Sequence, residues 1–398
     1  MNSRAKFLIV IGSTFVVLLL LLGTVLGKGT APDSPYRHLA VYTEVLSRIK
    51  SEYVEEPDLK SVTLGALNGL LESIDPFASY LNADQYKEYL KHSEVKGDVG
   101  LILSKRFGYI GVVSTVPGSP AAKAGLTTGD IIETINGVAT RDMPLAYTYL
   151  LLRGNPGTTV DVTVLRRQPE PQKMTLTRAA ANPPAVIAKI MQNEVGYIRP
   201  ETLSTSRVQT IAGDLRDLQN KGAKRLVLDL RQCAVGEPED GIALADLFLD
   251  SGLVTYLQGQ RVARQDFKAD PAKVVWKLPV VVLTNRGTAD GAEVAAAALE
   301  DNNRAKVVGE RTYGDASLRR ALTMDDGSAI ILSVAKYYSP SGKAIQDTGV
   351  TPGELVQEPE PQAETDEDGE AVHPETTEPE HNAGEDVVLK RAIELLNK

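Results

Sequence analysis

Two uninterrupted apolar runs, Leu226-Val227-Leu228-Asp229-Leu230 and Val280-Val281-Val282-Leu283-Thr284, constrain the fold most. A strand with one face in water alternates apolar and polar residues. A continuous run must be covered on both faces, as in a parallel sheet packed between helices. Between the two runs, Ile242 to Leu249 reads as a helix. Further on, Arg320 to Met324, the turn Asp325-Asp326-Gly327 and Ser328 to Ala335 read as a hairpin. Residues 183–355 are therefore expected to form an α/β core. Upstream, Leu39, Tyr42, Val45, Leu46 and Ile49 recur at three- and four-residue steps, and a second run spans Leu64 to Ile74, so residues 36–92 predict a helical region. Asp75-Pro76 is a turn signal that ends it. With 398 residues the chain has room for two or three domains, an α/β and α+β multidomain protein.

The two ends read differently. Phe7 to Leu26 is 20 residues without a charge, preceded by Arg4 and Lys6. That is long enough to cross a bilayer as a helix, and Gly23-Thr24-Val25-Leu26-Gly27 is a poor cleavage site. Residues 1–28 are expected to be an uncleaved membrane anchor. The basic flank would place the following domains outside the cytoplasm, in the periplasm or an equivalent space. Residues 356–386 are rich in Pro and Glu and poor in apolar side chains, an expected disordered acidic tail. Residues 387–398 predict a short helix with Leu389, Ile393 and Leu396 on one side. The segment 357–386 holds 12 acids and no Lys or Arg, enough to account for the formal charge of −9, so the folded part is near neutral. With no basic stripe, no nucleic-acid partner is expected. The single cysteine, Cys233, cannot form an internal disulfide.

Several motifs carry chemistry. Val99-Gly100-Leu101-Ile102 is an apolar-Gly-apolar loop, and Gly118-Ser119-Pro120-Ala121-Ala122-Lys123-Ala124-Gly125-Leu126 and Gly129-Asp130-Ile131-Ile132 follow. Residues 93–182 thereby resemble a PDZ domain, whose loop holds a peptide's terminal carboxylate on backbone N–H groups. A Gly there admits an anion close to the backbone, and an open strand edge accepts an extended peptide; alternatively Gly100 simply serves a tight turn. Asp75-Pro76-Phe77-Ala78-Ser79-Tyr80-Leu81, the stretch Asn285 to Arg319, and Lys336-Tyr337-Tyr338-Ser339-Pro340-Ser341-Gly342-Lys343 are similar to segments of the C-terminal processing peptidases, or tail-specific proteases. Apart from the anchor and the tail, that resemblance covers roughly 300 residues in the right order.

The resemblance implies a serine-type Ser-Lys endopeptidase, and its reactive positions are altered. The family's nucleophilic Ser lies three residues before a Glu; anchored on Glu293, that position is Asp290. The general-base Lys stands 25 residues later, here Asp315, and an assisting Gln is here Arg319. The oxyanion loop, usually Asn-Asn-Pro-Gly-Gly, is here Gln232-Cys233-Ala234-Val235-Gly236. Val235 replaces the first Gly, and its branched side chain disfavours the positive φ that would turn an N–H toward a substrate oxygen.

A Ser-Lys site needs an attacking hydroxyl and a neutral amine to take its proton. Neither Asp290 nor Asp315 supplies them. Two carboxylates in one site repel unless one keeps its proton or a cation intervenes, so Asp290, Asp315 and Arg319 are expected to form a charge-paired plug. Asp290 also reads as the N-cap of the helix that follows, and Asp315 as a solvated turn residue. No metal or other cofactor is expected, since these carboxylates lack ligand spacing. The four histidines, His38, His92, His373 and His381, lie outside the core, so a His-based pair there is excluded and Cys233 reads as a small buried hydrophobe. Thr288 and Ser317 are the remaining hydroxyls, with Lys306 and Lys343 as distant bases.

Three functions follow. One is an anchored pseudopeptidase that binds polypeptide C-termini as scaffold or regulator. The second is an active processing endopeptidase with a relocated nucleophile. The third is an assembly subunit in a homo-oligomer, or in a hetero-oligomer with an active relative.

Overall fold

The computed structural model describes residues 35–92, 96–141, 143–166, 170–180, 182, 184–357 and 386–397. The expected anchor lies outside them. Among the described residues no helix is long and apolar enough to cross a membrane. The chain divides into two units, Met1–Gly65 and Ala66–Lys398. In the first, helix Pro35–Glu52 half-buries Tyr42, Leu46 and Ile49, while Leu39 and Val45 of the same stripe are exposed. The next helix, Leu59–Ile74, starts where the Asp58 carboxylate accepts the N–H groups of Lys60 and Ser61, at 3.0 and 3.3 Å.

The region 36–92 is not wholly helical. Asp75-Pro76 stops the second helix, and the buried Asp75 carboxylate accepts the Phe77 N–H at 3.0 Å and the Ser333 N–H at 2.9 Å. That clamp delivers Ser79–Leu81 as a strand antiparallel to Ala329–Ile331 before helix Ala83–His92 begins. The sequence reading missed the strand because three residues are too few for a period and its partner lies some 250 residues away.

Residues 97–180 build a six-stranded antiparallel sheet with the main order Leu101–Arg106, Tyr109–Thr115, Ile131–Ile135, Thr159–Leu165 and Gln172–Thr177, and with Val138–Ala139 paired to Ile131–Ile135. Helix Leu145–Leu152 lies across it. Val99, Leu101, Leu103, Ile110, Val112, Ile132, Leu152 and Val162 fill this core. The Ser119 hydroxyl caps the short helix Pro120–Lys123, accepting from Ala122 N–H at 3.2 Å.

The third region is organised by the two apolar runs. Val195–Arg199, Arg225–Asp229, Val280–Thr284, Lys306–Gly309 and Glu354–Leu355 form a parallel sheet, with Ile187–Met191 antiparallel at one edge. Leu226, Leu228, Val280 and Val282 face helices Thr205–Asn220, Pro238–Asp246 and Gly291–Asp301. Val227, Val281 and Leu283 face the C-terminal helix Val387–Leu396. Each run is thus covered on both sides, as its lack of alternation predicts. A second sheet centres on Ala329–Tyr338, flanked by Ser317–Thr323, Ser79–Leu81 and Leu253–Gln258.

Three boundaries differ from the sequence reading. The helix expected at 242–249 spans Pro238–Asp246, because Pro238 at its first position and a Glu237/Asp240 capping box start it earlier. The C-terminal helix buries Val388, Ala392 and Leu396, leaving Leu389 and Ile393 half-buried at the margin; the sheet takes the i, i+4, i+8 stripe beginning one residue earlier. Within the expected tail, Val356 N–H bonds the Gly309 carbonyl at 2.9 Å, and Asp386 caps the last helix through Leu389 N–H at 2.9 Å. Residues 358–385 lie outside the described set.

Candidate active site

The site grows from the end of strand Val280–Thr284. Asn285 Oδ1 accepts from the N–H groups of Gln232 at 3.1 Å and Gly287 at 3.0 Å. Thr288 Oγ1 accepts from Asn285 N–H and donates to the Leu230 carbonyl at 2.8 Å. Ala289 N–H bonds the Cys233 carbonyl at 3.0 Å. Pinned in this way, the turn enters helix Gly291–Asp301 through Asp290, whose φ of 54° and ψ of −122° are rare for a residue with a side chain. Backbone strain of this kind persists only where its surroundings over-determine it. Here they do, since a Cβ on Gly291 would collide with the Glu237 carbonyl, and one on Gly241 with the Gly291 carbonyl.

Glu293, one turn in, holds the site together. Its carboxylate is wholly buried and accepts the N–H groups of Asp290 at 3.0 Å, Gly314 at 2.7 Å and Asp315 at 2.7 Å, together with the Thr312 hydroxyl. Asp290 and Asp315 therefore both hang from one side chain. Burial pushes the Glu293 carboxyl up to about 7 despite these donors. Asp290 is the helix N-cap, as expected, with Glu293 completing a capping box through its N–H. Sequence reasoning used Glu293 only as an anchor; an Asp three residues before a Glu is itself a capping-box signal.

Arg319 pairs with the Asp315 carboxylate and lies over the Phe77 ring, 4.3 Å from its centre. Burial raises the Asp315 carboxyl above the usual range even though Arg319 opposes it. Asp290 is raised further, by burial and then by Asp315. Burial works against the Arg319 charge, but Asp315 and Asp290 outweigh it and raise its pKa. The expected plug thus has one ion pair, Asp315 with Arg319. Among the described residues no ion pair joins Arg319 to Asp290, which is best accommodated protonated. Asp315 is not a solvated turn residue; its side chain is largely buried.

The loop before helix Pro238–Asp246 closes against the same helix start. Val235 keeps a negative φ, its carbonyl accepting from Leu203 N–H at 2.6 Å. Gly236, with φ of 148°, turns its carbonyl onto Gly291 N–H at 3.1 Å. That N–H follows the nucleophile position, where an acyl-transfer site keeps a donor free for the oxyanion. Here it is bonded within the protein.

Comparison with known proteins then locates this architecture. Residues 194–356 match the model of peptidase family S41, and residues 111–166 that of the PDZ domain. The carboxy-terminal-processing protease of Bartonella bacilliformis is 30% identical over 339 residues, spanning 83% of this chain and 77% of that protein. The chain belongs to peptidase family S41. Carboxy-terminal processing protease CtpA of Bacillus subtilis is likewise 30% identical, over 83% of this chain and 71% of its own length. Among solved structures, a photosystem II D1 C-terminal processing protease superposes with a TM-score of 0.65 at 27% identity, covering 78% of this chain and 86% of that one.

The other flagged residues of this S41 chain fall into place around its PDZ region. Val99 and Leu101 are buried in that core, Ile102 is half-buried, and Gly100 has φ of 80° with Ser119 packed where a Cβ would stand. Val99 to Ile102 and the acid pair are distinct sites, but they are linked through Ser114 and Tyr313, which the sequence did not single out. Ser114 Oγ donates to Gln232 Oε1 at 2.9 Å, and Tyr313, on the Asp315 loop, packs on the PDZ core and meets Phe77 edge-on at 5.9 Å. The alternative hydroxyls are engaged elsewhere. Thr288 is fully buried in its turn, and Ser317 shares a hydrogen bond with Ser333 at 3.0 Å. Lys306 and Lys343 are exposed. Cys233 is buried in the core and burial pushes its thiol up to about 12. Among the described residues no group of three His, Cys, Asp or Glu side chains is placed to hold a metal.

Proposed function

We propose that this S41 chain is a pseudopeptidase that captures polypeptide C-termini in its PDZ groove and serves as a scaffold or regulator, anchored in the membrane by residues 7–26 and facing the periplasm or extracytoplasmic space. The observation that carries this reading is the Asp315–Arg319 ion pair at the base position, beside an Asp290 with no hydroxyl to deprotonate. Covalent acyl transfer needs a nucleophile, a base and oxyanion donors together. Asp290 is a poor nucleophile toward an amide, Asp315 is committed to Arg319, and Gly291 N–H is taken by Gly236. The names of the relatives, carboxy-terminal processing proteases, support C-termini as what the PDZ region recognises. An assembly with itself or with an active relative is compatible with that role.

The test is incubation of the full chain, in mild detergent, with denatured casein, followed by mass spectrometry. The wild type is expected to leave the substrate intact, and Asp290→Ser/Asp315→Lys/Arg319→Gln to cleave it slowly, since Gly236 still holds Gly291 N–H. Cleavage by the wild type overturns the reading; if that cleavage vanishes in Thr288→Ala or Ser317→Ala, a relocated nucleophile replaces it.

A further inference from the structure

A peptide that joins a sheet as an extra strand needs two things from its host: a free backbone N–H and C=O on an open strand edge, and donors for its terminal carboxylate. In the PDZ region the relevant edge belongs to Leu101–Arg106, whose other side pairs with Tyr109–Thr115. Helix Leu145–Leu152 lines the groove along that edge. The edge is occupied by the chain itself. Tyr149, on the helix, accepts from Leu103 N–H through its hydroxyl at 2.8 Å and donates the same hydroxyl to the Leu103 carbonyl at 3.3 Å. One phenol thereby makes both bonds that the backbone of an added strand would make at that residue.

The carboxylate end is filled as well. Gly100 N–H, in the loop that would hold the terminal carboxylate, donates to Asp98 Oδ1 at 2.6 Å. Arg153 fixes the other oxygen of Asp98 at 3.3 Å, and its guanidinium lies 5.8 Å from the centre of the Tyr149 ring. Asp98, Arg153 and Tyr149 form one connected cluster whose free ends rest on the two backbone features a C-terminus would use.

We propose that Tyr149 and Asp98 act as an internal ligand that holds the groove closed, so that a polypeptide C-terminus binds by displacing both. This rests on the reading that the groove captures C-termini, and deepens it.

The experiment uses the full chain and fluorescein-labelled decapeptides ending in two valines, two leucines or two alanines, each as the free acid and as the C-terminal amide. Fluorescence anisotropy gives affinities for the wild type, Tyr149→Phe and Asp98→Ala. Tyr149→Phe keeps the ring but removes both bonds to Leu103. It should bind the free acids about tenfold more tightly, equivalent to about 1.4 kcal/mol, and Asp98→Ala should shift affinity in the same direction. Without peptide, Leu103 amide hydrogen exchange should be faster in Tyr149→Phe. If the wild type prefers acid over amide but Tyr149→Phe binds equally or less tightly, the internal ligand is refuted while capture stands. Unchanged Leu103 exchange also refutes it. If none of the three chains distinguishes acid from amide, capture itself fails, and the internal ligand with it.

Discussion

Glu293 offers the sharpest quantitative test. In the folded chain its carboxyl titrates near 7, against an ordinary value of 4.5. A group whose pKa is raised on folding stabilises the fold fully below its unfolded pKa, and that contribution is lost as pH rises through the folded one. The difference between 7 and 4.5 corresponds to about 3 kcal/mol at 1.36 kcal/mol per pH unit. Wild type should therefore gain about this much stability on going from pH 8 to pH 4.5, the reverse of an acid held in a favourable ion pair. Asp290 and Asp315, also raised, push the same way. Glu293→Gln removes the titration and presents one oxygen where two served four donors. The variant should show a flatter profile, with at least one buried N–H left unsatisfied at about 1–3 kcal/mol. Urea denaturation read by Trp276, the sole tryptophan and fully buried in the core that includes helix Gly291–Asp301, reports on this region directly. If the pH profiles of wild type and Glu293→Gln run parallel between pH 4.5 and 8, the assigned burial penalty at Glu293 is wrong.

Two further outcomes can be measured by the same titrations. Arg319→Gln leaves Asp315 buried without its cation; because the arginine side chain is 31% exposed, the cost is discounted from the buried-pair range to about 2 kcal/mol at pH 8. It should shrink as pH falls and the raised Asp315 carboxyl takes up a proton; a pH-independent cost would show that Asp315 is not charged in the wild type. Asp386→Ala removes the cap on Leu389 and both bonds to Arg231, which stays attached to Asp229 at 2.7 Å. That should cost about 1–2 kcal/mol and expose helix Val387–Leu396 to limited proteolysis; an unchanged digestion pattern would mean that burial of Val388, Ala392 and Leu396 suffices to dock it.

What the sequence discloses depends on how far apart the interacting residues stand. Val281 and Leu228 declare a two-sided sheet because burial on both faces leaves its mark within five consecutive residues. Asp290 announces an N-cap because the helix it starts is local. The strand Ser79–Leu81, the hold of Glu293 on Thr312 and Gly314, and the bond of Tyr149 to Leu103 carry no such mark, since their partners lie on other elements. The same limit governs the altered site. The motif spacing singles out Asp290, Asp315 and Arg319, but only the fold distinguishes a three-way charge cluster from the arrangement present, a single Asp315–Arg319 pair beside an Asp290 whose carboxyl is raised by burial. That distinction has a consequence for reversal. Asp290→Ser/Asp315→Lys alone would set the new lysine against Arg319, whose charge would favour the neutral amine but whose bulk occupies the space beside it. Asp290→Ser/Asp315→Lys should therefore fall well below Asp290→Ser/Asp315→Lys/Arg319→Gln in the casein assay, and equal rates in the two would show that Arg319 plays no part in keeping the site closed.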